Sequence, residues 1–170
     1  MNEAALRKVS YGLYVVSSMN GNRINGQIAN TVFQVTSEPP TLAVSICKQN
    51  LTHDFIRESG KFSVSILSQS TPMQFIGRFG FKCGRDINKF EDINYKTGST
   101  GIPVVMDNAV AVIEVEVIGE MDCGTHRIFQ GRVLDCEVLS DEEPMTYAYY
   151  HAVKGGKAPK TAPTYQAGGN

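Results

Sequence analysis

The chain has 170 residues, 42% of them hydrophobic and 19% charged, with a formal net charge of -1. This size and composition are typical of one globular domain with its own core. So small a net charge provides no overall attraction for nucleic acid or an anionic membrane. No apolar run approaches the roughly 18 residues of a membrane span, and the N-terminus lacks the apolar core of a signal peptide. We therefore expect a cytoplasmic protein.

The cysteines are scattered, at Cys47, Cys83, Cys123 and Cys136, with no Cys-x-x-Cys pair and no cluster of histidines. Structural zinc and iron–sulfur sites need closely spaced ligands of these types. The sequence therefore predicts no metal site. Reduced thiols, as is usual in the cytoplasm, are the expected state of the cysteines.

The N-terminal part of the chain predicts short strands joined by tight turns. Glu3–Lys8 is predicted as a short helix, and Tyr11–Ser18, rich in Val and Tyr, as a strand. Asn20-Gly21-Asn22 is a hairpin signal that leads into a strand around Ile28–Thr36. In Thr41–Cys47 large apolar residues alternate with small ones, and this period of two predicts a strand with one bulky and one small face.

A polar turn follows that strand and opens a helix. A short helix is predicted to start at Asn50 or Thr52 as its N-cap, to continue over Asp54–Ser59 and to end at Gly60. Free N–H groups and the positive end of the helix dipole make such a turn a candidate anion site. A flat ligand with a phosphate tail would suit the small strand face and this turn together.

The middle of the chain contains three further predicted strands and a helix. Lys61–Leu67 alternates large apolar residues with serines, which is typical of a half-buried strand. Thr71–Phe79 is predicted as a helix with Thr71 as its cap and Pro72 at its first position. Ala109–Met121 and His126–Leu139 are predicted as long strands of Val, Ile and Leu.

The rest of the chain has little predicted regular structure. Tyr147–His151 is predicted as a short aromatic strand, and 80–101 as an irregular, glycine-containing stretch. Residues 154–170 are rich in Gly, Pro, Ala and Lys and cannot form a core of their own. Many short strands, few helices and frequent turn signals favour an antiparallel barrel with helices at its ends.

The segment Asn25–Asp54 contains AN-T-V-F-Q-V-T-S-x-PP-x-L-A-V-S-I, followed by K-x-N-L-T-H-D. This sequence pattern resembles that of the flavin reductase-like proteins. These proteins bind FMN in a Greek-key split β-barrel, a mainly β fold with a few short helices. Within that family it most resembles the flavin domain of high-molecular-weight rubredoxins. The resemblance covers about residues 3–165. It implies an FMN-binding domain over 1–153, with 154–170 as a flexible tail.

The resemblance also implies where the flavin binds. The strand Gln27–Phe33 would lie along the flavin ring, and the segment from Ser45 to His53 would hold the phosphate and ribityl chain. The loop 77–90, with its interleaved glycines, basic residues and aromatics, would close over the flavin. The implied cofactor-binding residues are Gln27, Ala29, Asn30, Thr31, Val32, Ser45, Cys47, Lys48, Asn50, Leu51, Thr52, Arg78, Phe79 and Lys89.

One histidine is the candidate catalytic residue. Gly124-Thr125-His126, followed by Gly131-Arg132-Val133, resembles the family's G-x-H motif with its later G-x-V. The resemblance implies that His126 lies close to the flavin and the reduced nicotinamide, where it could orient the carboxamide or assist protonation, because imidazole titrates near neutrality. The alternative is a turn residue with a satisfied hydrogen bond.

The resulting hypothesis is an FMN-dependent oxidoreductase that takes a hydride from NADH or NADPH and passes electrons to a small or protein acceptor. The sequence has no Gly-x-Gly-x-x-Gly turn, so a Rossmann unit is not expected to hold the nicotinamide. One alternative is a non-catalytic FMN module in a rubredoxin-type electron-transfer chain, because KAPKTAPTY resembles the junction before a rubredoxin domain. Another is a barrel with a different ligand or none. The resemblance also implies a homodimer, to which the strand over 109–118 would be suited.

Overall fold

The structure, a computed structural model, describes residues 2–165. Within them a short 3-10 helix over Glu3–Lys8 precedes nine strands and three α-helices. The strands are β1 Tyr14–Asn20, β2 Arg23–Ala29, β3 Val32–Ser37, β4 Pro40–Cys47, β5 Lys61–Leu67, β6 Tyr95–Thr97, β7 Pro103–Val105, β8 Ala109–Cys123 and β9 His126–Val138. The helices are α1 Leu51–Ser59, α2 Met73–Phe81 and α3 Tyr147–Ala152. None of the described helices is long and apolar enough to cross a membrane.

Seven strands form one antiparallel sheet in the order β2-β1-β5-β8-β9-β4-β3, and β6 pairs with β7 beside it. The two edge strands, β2 and β3, are consecutive in the chain and are separated only by Asn30 and Thr31. The sheet must therefore curl until its edges meet. Among the described residues no ladder joins those edges, so the barrel stays split there. The predicted mainly β split-barrel architecture is confirmed.

Alternation along β1 divides the core into two parts. Val15 and Val16 are both fully buried, and successive strand residues point to opposite faces. Val16 packs inside the barrel with Phe129 and with Ile56 of α1. Val15 packs on the outer face with Phe79 of α2. Each such side chain contributes roughly 1.5–3 kcal/mol through burial, so α1 and α2 are fixed against opposite sides of the sheet.

The prediction of a strand at Tyr147–His151 is wrong, because this segment is helix α3. Aromatic residues favour strands by composition, but the Thr146 hydroxyl accepts a hydrogen bond from the Tyr149 backbone N–H at 3.1 Å and caps a helix here. The helix places Tyr147 and Tyr150 on one side, with their rings stacked at a centroid distance of 5.8 Å. Tyr150 is then 2% exposed and belongs to the outer core.

The prediction of one continuous strand over Ile28–Thr36 is also wrong. The structure ends β2 at Ala29 and begins β3 at Val32. Asn30 and Thr31 carry the chain from one edge of the curled sheet to the other. Apolar alternation continues across this crossing, which is why the pattern alone does not reveal it.

Of the two predicted helix starts, one is wrong and one is confirmed. The predicted cap Thr71 instead donates its hydroxyl to the Ser68 carbonyl at 2.7 Å, and Pro72 occupies the N-cap position before α2. Helix α1 begins at Leu51 with Asn50 at its N-cap, which confirms one of the two predicted caps. Its predicted end at Gly60 is confirmed by a left-handed φ of 67°.

A buried carboxylate ties the loop before β7 to strand β8. Glu114 is only 3% exposed. Its carboxylate accepts the backbone N–H groups of Ser99 and Thr100 at 2.9 Å each, and also the Thr100 hydroxyl. Burial alone would raise the pKa of Glu114, but these hydrogen bonds stabilise the anion and the net shift lowers it.

Replacing Glu114 with Gln should destabilise the fold, because three donors then lose an anionic acceptor. We expect a loss of about 1.5–3 kcal/mol in the free energy of unfolding at neutral pH, measured by chemical denaturation. The exposed Glu116 on the same strand is the matched control, and Glu116→Gln should change stability by less than about 0.5 kcal/mol.

The pH dependence of that difference follows from the lowered pKa of Glu114. The stabilisation is present above the unfolded pKa of about 4.3 and is lost as the pH falls through the lower folded pKa. The free energies of unfolding of wild type and Glu114→Gln, measured as a function of pH, should therefore converge in acid. A gap between wild type and Glu114→Gln that stays constant from pH 7 to acid would contradict this assignment.

Candidate functional site

A cavity of about 370 Å³ opens beside edge strand β2 and Asn30, where the chain leaves that strand. Its volume lies in the range of small-molecule and cofactor sites. Strands β2 and β4, the start of α1, the end of α2 with its following loop, and α3 all contribute walls. Ala29, Ser45, Cys47 and Gly80 make part of the lining small. A flat ligand could therefore approach the backbone closely.

The start of α1 forms a corner suited to an anion. The N-cap residue Asn50 makes no side-chain capping hydrogen bond, so its amide remains available to a ligand. The first N–H groups of the helix and its dipole favour negative charge. Arg85 is held beside this corner, because its guanidinium donates to the Gln49 carbonyl at 3.2 Å and to the Asp54 carboxylate at 3.1 Å.

Thr52, in the same helix turn, has a structural role that the sequence does not reveal. It is fully buried, and its hydroxyl accepts a hydrogen bond from the Asn25 side-chain amide at 2.8 Å. The pair links α1 to β2, and both residues line the cavity. Thr52 therefore supports the anion corner instead of supplying a free side chain to it.

Lys89 places a buried cation in the cavity wall. It is 5% exposed, and its ammonium donates to the carbonyls of Gly26 and Phe79 at 3.0 Å each. Burial lowers the pKa of Lys89 to about 8, with a smaller, opposing electrostatic contribution from Cys83. Since an ammonium has three donors, one remains after these two bonds.

The charge of the cavity is strongly one-sided. Its described lining contains five basic residues and no aspartate or glutamate, in a chain whose net charge is -1. The basic residues are Lys82, Arg85, Lys89, Lys157 and Lys160. Cavities lined by one sign of charge concentrate ligands of the opposite sign. The cavity is therefore suited to an anionic ligand.

Gln27 adds an unused acceptor to the cavity wall. Its side-chain Oε1 is buried without a hydrogen-bond partner among the described residues, while its Nε2 donates weakly to the Ile28 carbonyl at 3.4 Å. A buried acceptor without a donor costs about 1–3 kcal/mol. A ligand N–H group placed in the cavity would remove that cost.

Residues 157–165, here called the C-terminal strap, cross the cavity. The Tyr150 hydroxyl donates to the Lys157 carbonyl at 3.1 Å, and His126 Nε2 donates to the Thr161 carbonyl at 3.1 Å. The Thr164 hydroxyl accepts from the Asn30 amide at 2.8 Å. Polar contacts thus hold the strap against the domain, and the division into a domain over 1–153 and a flexible tail over 154–170 stays a prediction. Residues 166–170 of the predicted tail lie outside the described residues.

Many of the predicted cofactor-binding residues are brought together by the fold. Those that line the cavity are Gln27, Ala29, Asn30, Ser45, Cys47, Asn50, Leu51, Thr52, Phe79 and Lys89. Four others make contacts elsewhere or do not line it: Thr31 donates to the Asn30 side chain at 3.0 Å, Val32 lies in β3, Lys48 pairs with Asp122, and Arg78 donates to the Glu91 carbonyl. Their roles toward a ligand remain predictions.

His126 contacts the strap instead of lining the cavity. Because a carbonyl can only accept, its Nε2 carries the proton in the bond to Thr161. Its Nδ1 then accepts from the Thr125 hydroxyl at 2.9 Å. Both ring nitrogens are thus engaged within the chain. The predicted catalytic role of His126 remains a prediction, and the contact itself is that of a positioning residue.

Several lining residues were missed by sequence reasoning. Asn25, Tyr147, Tyr150 and the strap residues are brought to the cavity only by tertiary packing. Helical spacing of Tyr147 and Tyr150 behind the Thr146 cap was the one available signal. Arg85 lies in the predicted glycine-containing loop, but its spacing does not distinguish it from Arg78.

The sequence profile of the family described as flavin reductase like domain matches residues 6–156. The chain therefore belongs to the flavin reductase-like family, and the resemblance noted from its motifs is confirmed. The protein is accordingly a flavin-dependent oxidoreductase of the reductase-like type.

Individual relatives agree with this membership. The chain is 53% identical to the ferric-chelate reductase (NAD(P)H) of Archaeoglobus fulgidus over 97% of this chain and 98% of that protein. It is 52% identical to a high molecular weight rubredoxin of Moorella thermoacetica over 99% of this chain and 73% of that protein. A solved FMN-binding protein from Thermus thermophilus, with p-hydroxybenzaldehyde bound, superposes with a TM-score of 0.71 at 25% identity, covering 77% of this chain and 73% of that chain.

Lys89 should make stability rise with pH in a defined window. Its folded pKa is about 8 and its unfolded value about 10.4, so between them the unfolded state binds a proton that the folded state does not. The free energy of unfolding should then increase with pH, by up to about 3 kcal/mol relative to Lys89→Met. Denaturation curves from pH 7 to 10.5 measure this, and parallel profiles for the two proteins would contradict it.

Proposed function

We propose that the protein binds FMN in this cavity, takes a hydride from NADH or NADPH, and passes electrons to a small or protein acceptor. The observation that carries the proposal is the cavity itself, which combines a wall of small residues with charged lining residues that are all basic, in a flavin reductase-like chain. The Archaeoglobus relative, a reductase named for NAD(P)H, supports the nicotinamide donor.

The residues of the cavity fit FMN. The unpaired Gln27 Oε1 matches the N–H group on the polar edge of a flavin ring. The small side chains of Ser45 and Cys47 leave room for a flat ring against β4. The free amide of Asn50, the first N–H groups of α1 and the Arg85 guanidinium would hold the phosphate.

Bound FMN would supply the redox chemistry, accepting a hydride and releasing electrons. The protein's residues would bind, orient and shield. Phe79 and Tyr150, at 1% and 2% exposure, would keep part of the site dry. The strap would cover the cavity, and His126 would position the strap through Thr161. Such positioning holds reacting groups in a productive geometry, which is a large source of rate enhancement.

Replacing Asn50 with Ala should weaken FMN binding by roughly tenfold to a hundredfold, because a hydrogen bond to a charged group contributes about 1.5–3 kcal/mol. Riboflavin, which lacks the phosphate, should bind the wild type more weakly than FMN does. Its affinity should be the same for wild type and Asn50→Ala. Fluorescence titration of apo-protein measures these affinities. Asn22→Ala, in the exposed β1–β2 turn, is the control. An unchanged FMN affinity in Asn50→Ala would show that Asn50 does not bind the phosphate.

Replacing His126 with Ala should slow reduction by the nicotinamide donor about tenfold to a hundredfold, since the strap loses an anchor and the donor is held less well. FMN affinity should change little. His126→Gln, which retains an N–H donor for Thr161, should recover much of the rate. Anaerobic single-turnover mixing with saturating NADH or NADPH measures the rate, and dithionite reduction, which needs no donor site, is the control. Equal rates in wild type and His126→Ala would mean that His126 is a structural turn residue with no role in reduction by the donor.

A second candidate function is an FMN module that exchanges electrons with a protein partner such as a rubredoxin. The 52% identity to the Moorella high molecular weight rubredoxin favours it. The same mixing experiment separates the two functions. A carrier would keep its FMN bound and remain oxidised with both NADH and NADPH, whereas a reductase would be bleached by at least one of them.

A homodimer is proposed from the exposed apolar side chains of the sheet. Phe33 on β3 is 49% exposed and Met121 on β8 is 62% exposed, and a partner copy would cover them. The expectation that 109–118 supplies the interface is only partly compatible with the structure, because Val112 and Val115 are buried in the chain's own core. The dimer contact is therefore assigned to the later part of β8 and to β3.

A cytoplasmic location is also proposed. Its support is the state of the four cysteines, all of which are free. Unpaired thiols persist in reducing compartments, whereas disulfides form in oxidising ones.

A further inference from the structure

The C-terminal strap lies outside the part of the chain that the family profile matches. The family profile ends at residue 156, immediately before the strap begins. The Archaeoglobus and Moorella relatives match over 97% and 99% of the chain, alignments long enough to include residues 157–163. The strap therefore lies beyond the stretch that the family profile matches, in a segment with which both relatives align.

Contacts hold the strap to the cavity wall itself. Beyond the bonds already described, the Lys157 backbone N–H donates to the Tyr150 hydroxyl at 3.2 Å, and the Thr164 hydroxyl donates to that of Tyr147 at 3.2 Å. Asn30, Tyr147 and Tyr150, three of its anchors, line the cavity. The residues that hydrogen-bond the strap would therefore also lie next to a ligand bound in the cavity.

The strap adds two cations to the cavity lining. Lys157 and Lys160 are exposed, and within residues 2–165 neither ammonium takes part in an ion pair. By contrast, Lys154 in the preceding residues donates to the Thr71 carbonyl at 2.9 Å and does not line the cavity. Since no described carboxylate lines the cavity, the two strap lysines add to a positive field that is already in place.

We propose that the strap is a phosphate-binding wall, in which Lys157 and Lys160 contact a phosphate group of the bound nucleotide and the strap anchors set their position. The inference rests on the proposed function, because the nucleotide is either FMN or the nicotinamide donor. Both carry phosphate, and Lys is well suited to phosphate as a mobile point charge. Separate measurements with FMN and with the nicotinamide nucleotides distinguish the two sources of phosphate.

The binding test uses Lys157→Gln/Lys160→Gln, with Lys154→Gln as the control in the same segment. Fluorescence titration gives the affinity of apo-protein for FMN and riboflavin, and calorimetry gives the affinity of FMN-loaded protein for NADP+ and NAD+. We expect a threefold to tenfold weaker affinity for one phosphate-bearing ligand in the double variant, diminishing with salt. Riboflavin affinity should not change, and Lys154→Gln should match the wild type.

A loss confined to FMN assigns the strap to the cofactor phosphate, and a loss confined to NADP+ or NAD+ assigns it to the donor. Unchanged affinity for every phosphate-bearing ligand overturns the proposal. If the wild type bound no flavin at all, the proposed function would fail first, so the two failures are distinguishable.

Limited trypsin digestion of the wild type gives a readout independent of activity. Cleavage after Lys157 and Lys160 should slow when the assigned ligand is bound, because the strap lysines are then covered. Cleavage after Lys154, outside the cavity, should change less. Equal protection of all three positions, or none, would contradict a strap that contacts the ligand.

Discussion

The structure depends on one constraint, which is that the two edge strands of a single sheet are neighbours in the chain. Only Asn30 and Thr31 separate β2 from β3, so the sheet has to curl until its edges meet. The Thr31 carbonyl accepts the Ser45 backbone N–H at 3.1 Å and ties the crossing to β4. The cavity lies beside this crossing, with Gln27 of β2 and Cys47 of β4 in its lining. Asn30, 4% exposed, also anchors the strap through Thr164.

Charge in this protein is organised locally, and the net value conceals it. A chain of net charge -1 places five basic residues and no described acidic residue around one cavity. Acidic side chains lie outside the lining, for example Asp54 against Arg85, Asp122 beside Lys48, and Glu114 under the loop before β7. An exposed pair such as the first contributes little to stability. The cationic cavity is therefore better understood as a feature of ligand binding than of folding.

Local pattern predicts the elements whose cause is local. Period two in Thr41–Cys47 identifies β4, and Gly60 marks the end of α1, because strand alternation and the left-handed helix end are properties of a few adjacent residues. The prediction of a strand at Tyr147–His151 is wrong because only its aromatic composition favours a strand. The Thr146 cap and the packing of Tyr150 favour a helix. The strap contacts join residues far apart in the chain, so neither periodicity nor composition could indicate them.

If the cavity beside the split of the barrel is the flavin site, a crystal structure of the protein grown with FMN should show the flavin there. We expect the ring to lie beside Gln27, Ser45 and Cys47, with its phosphate at the start of α1 near Asn50 and Arg85. Electron density for the flavin outside this cavity, or for its phosphate away from α1, would show that the site has been assigned wrongly.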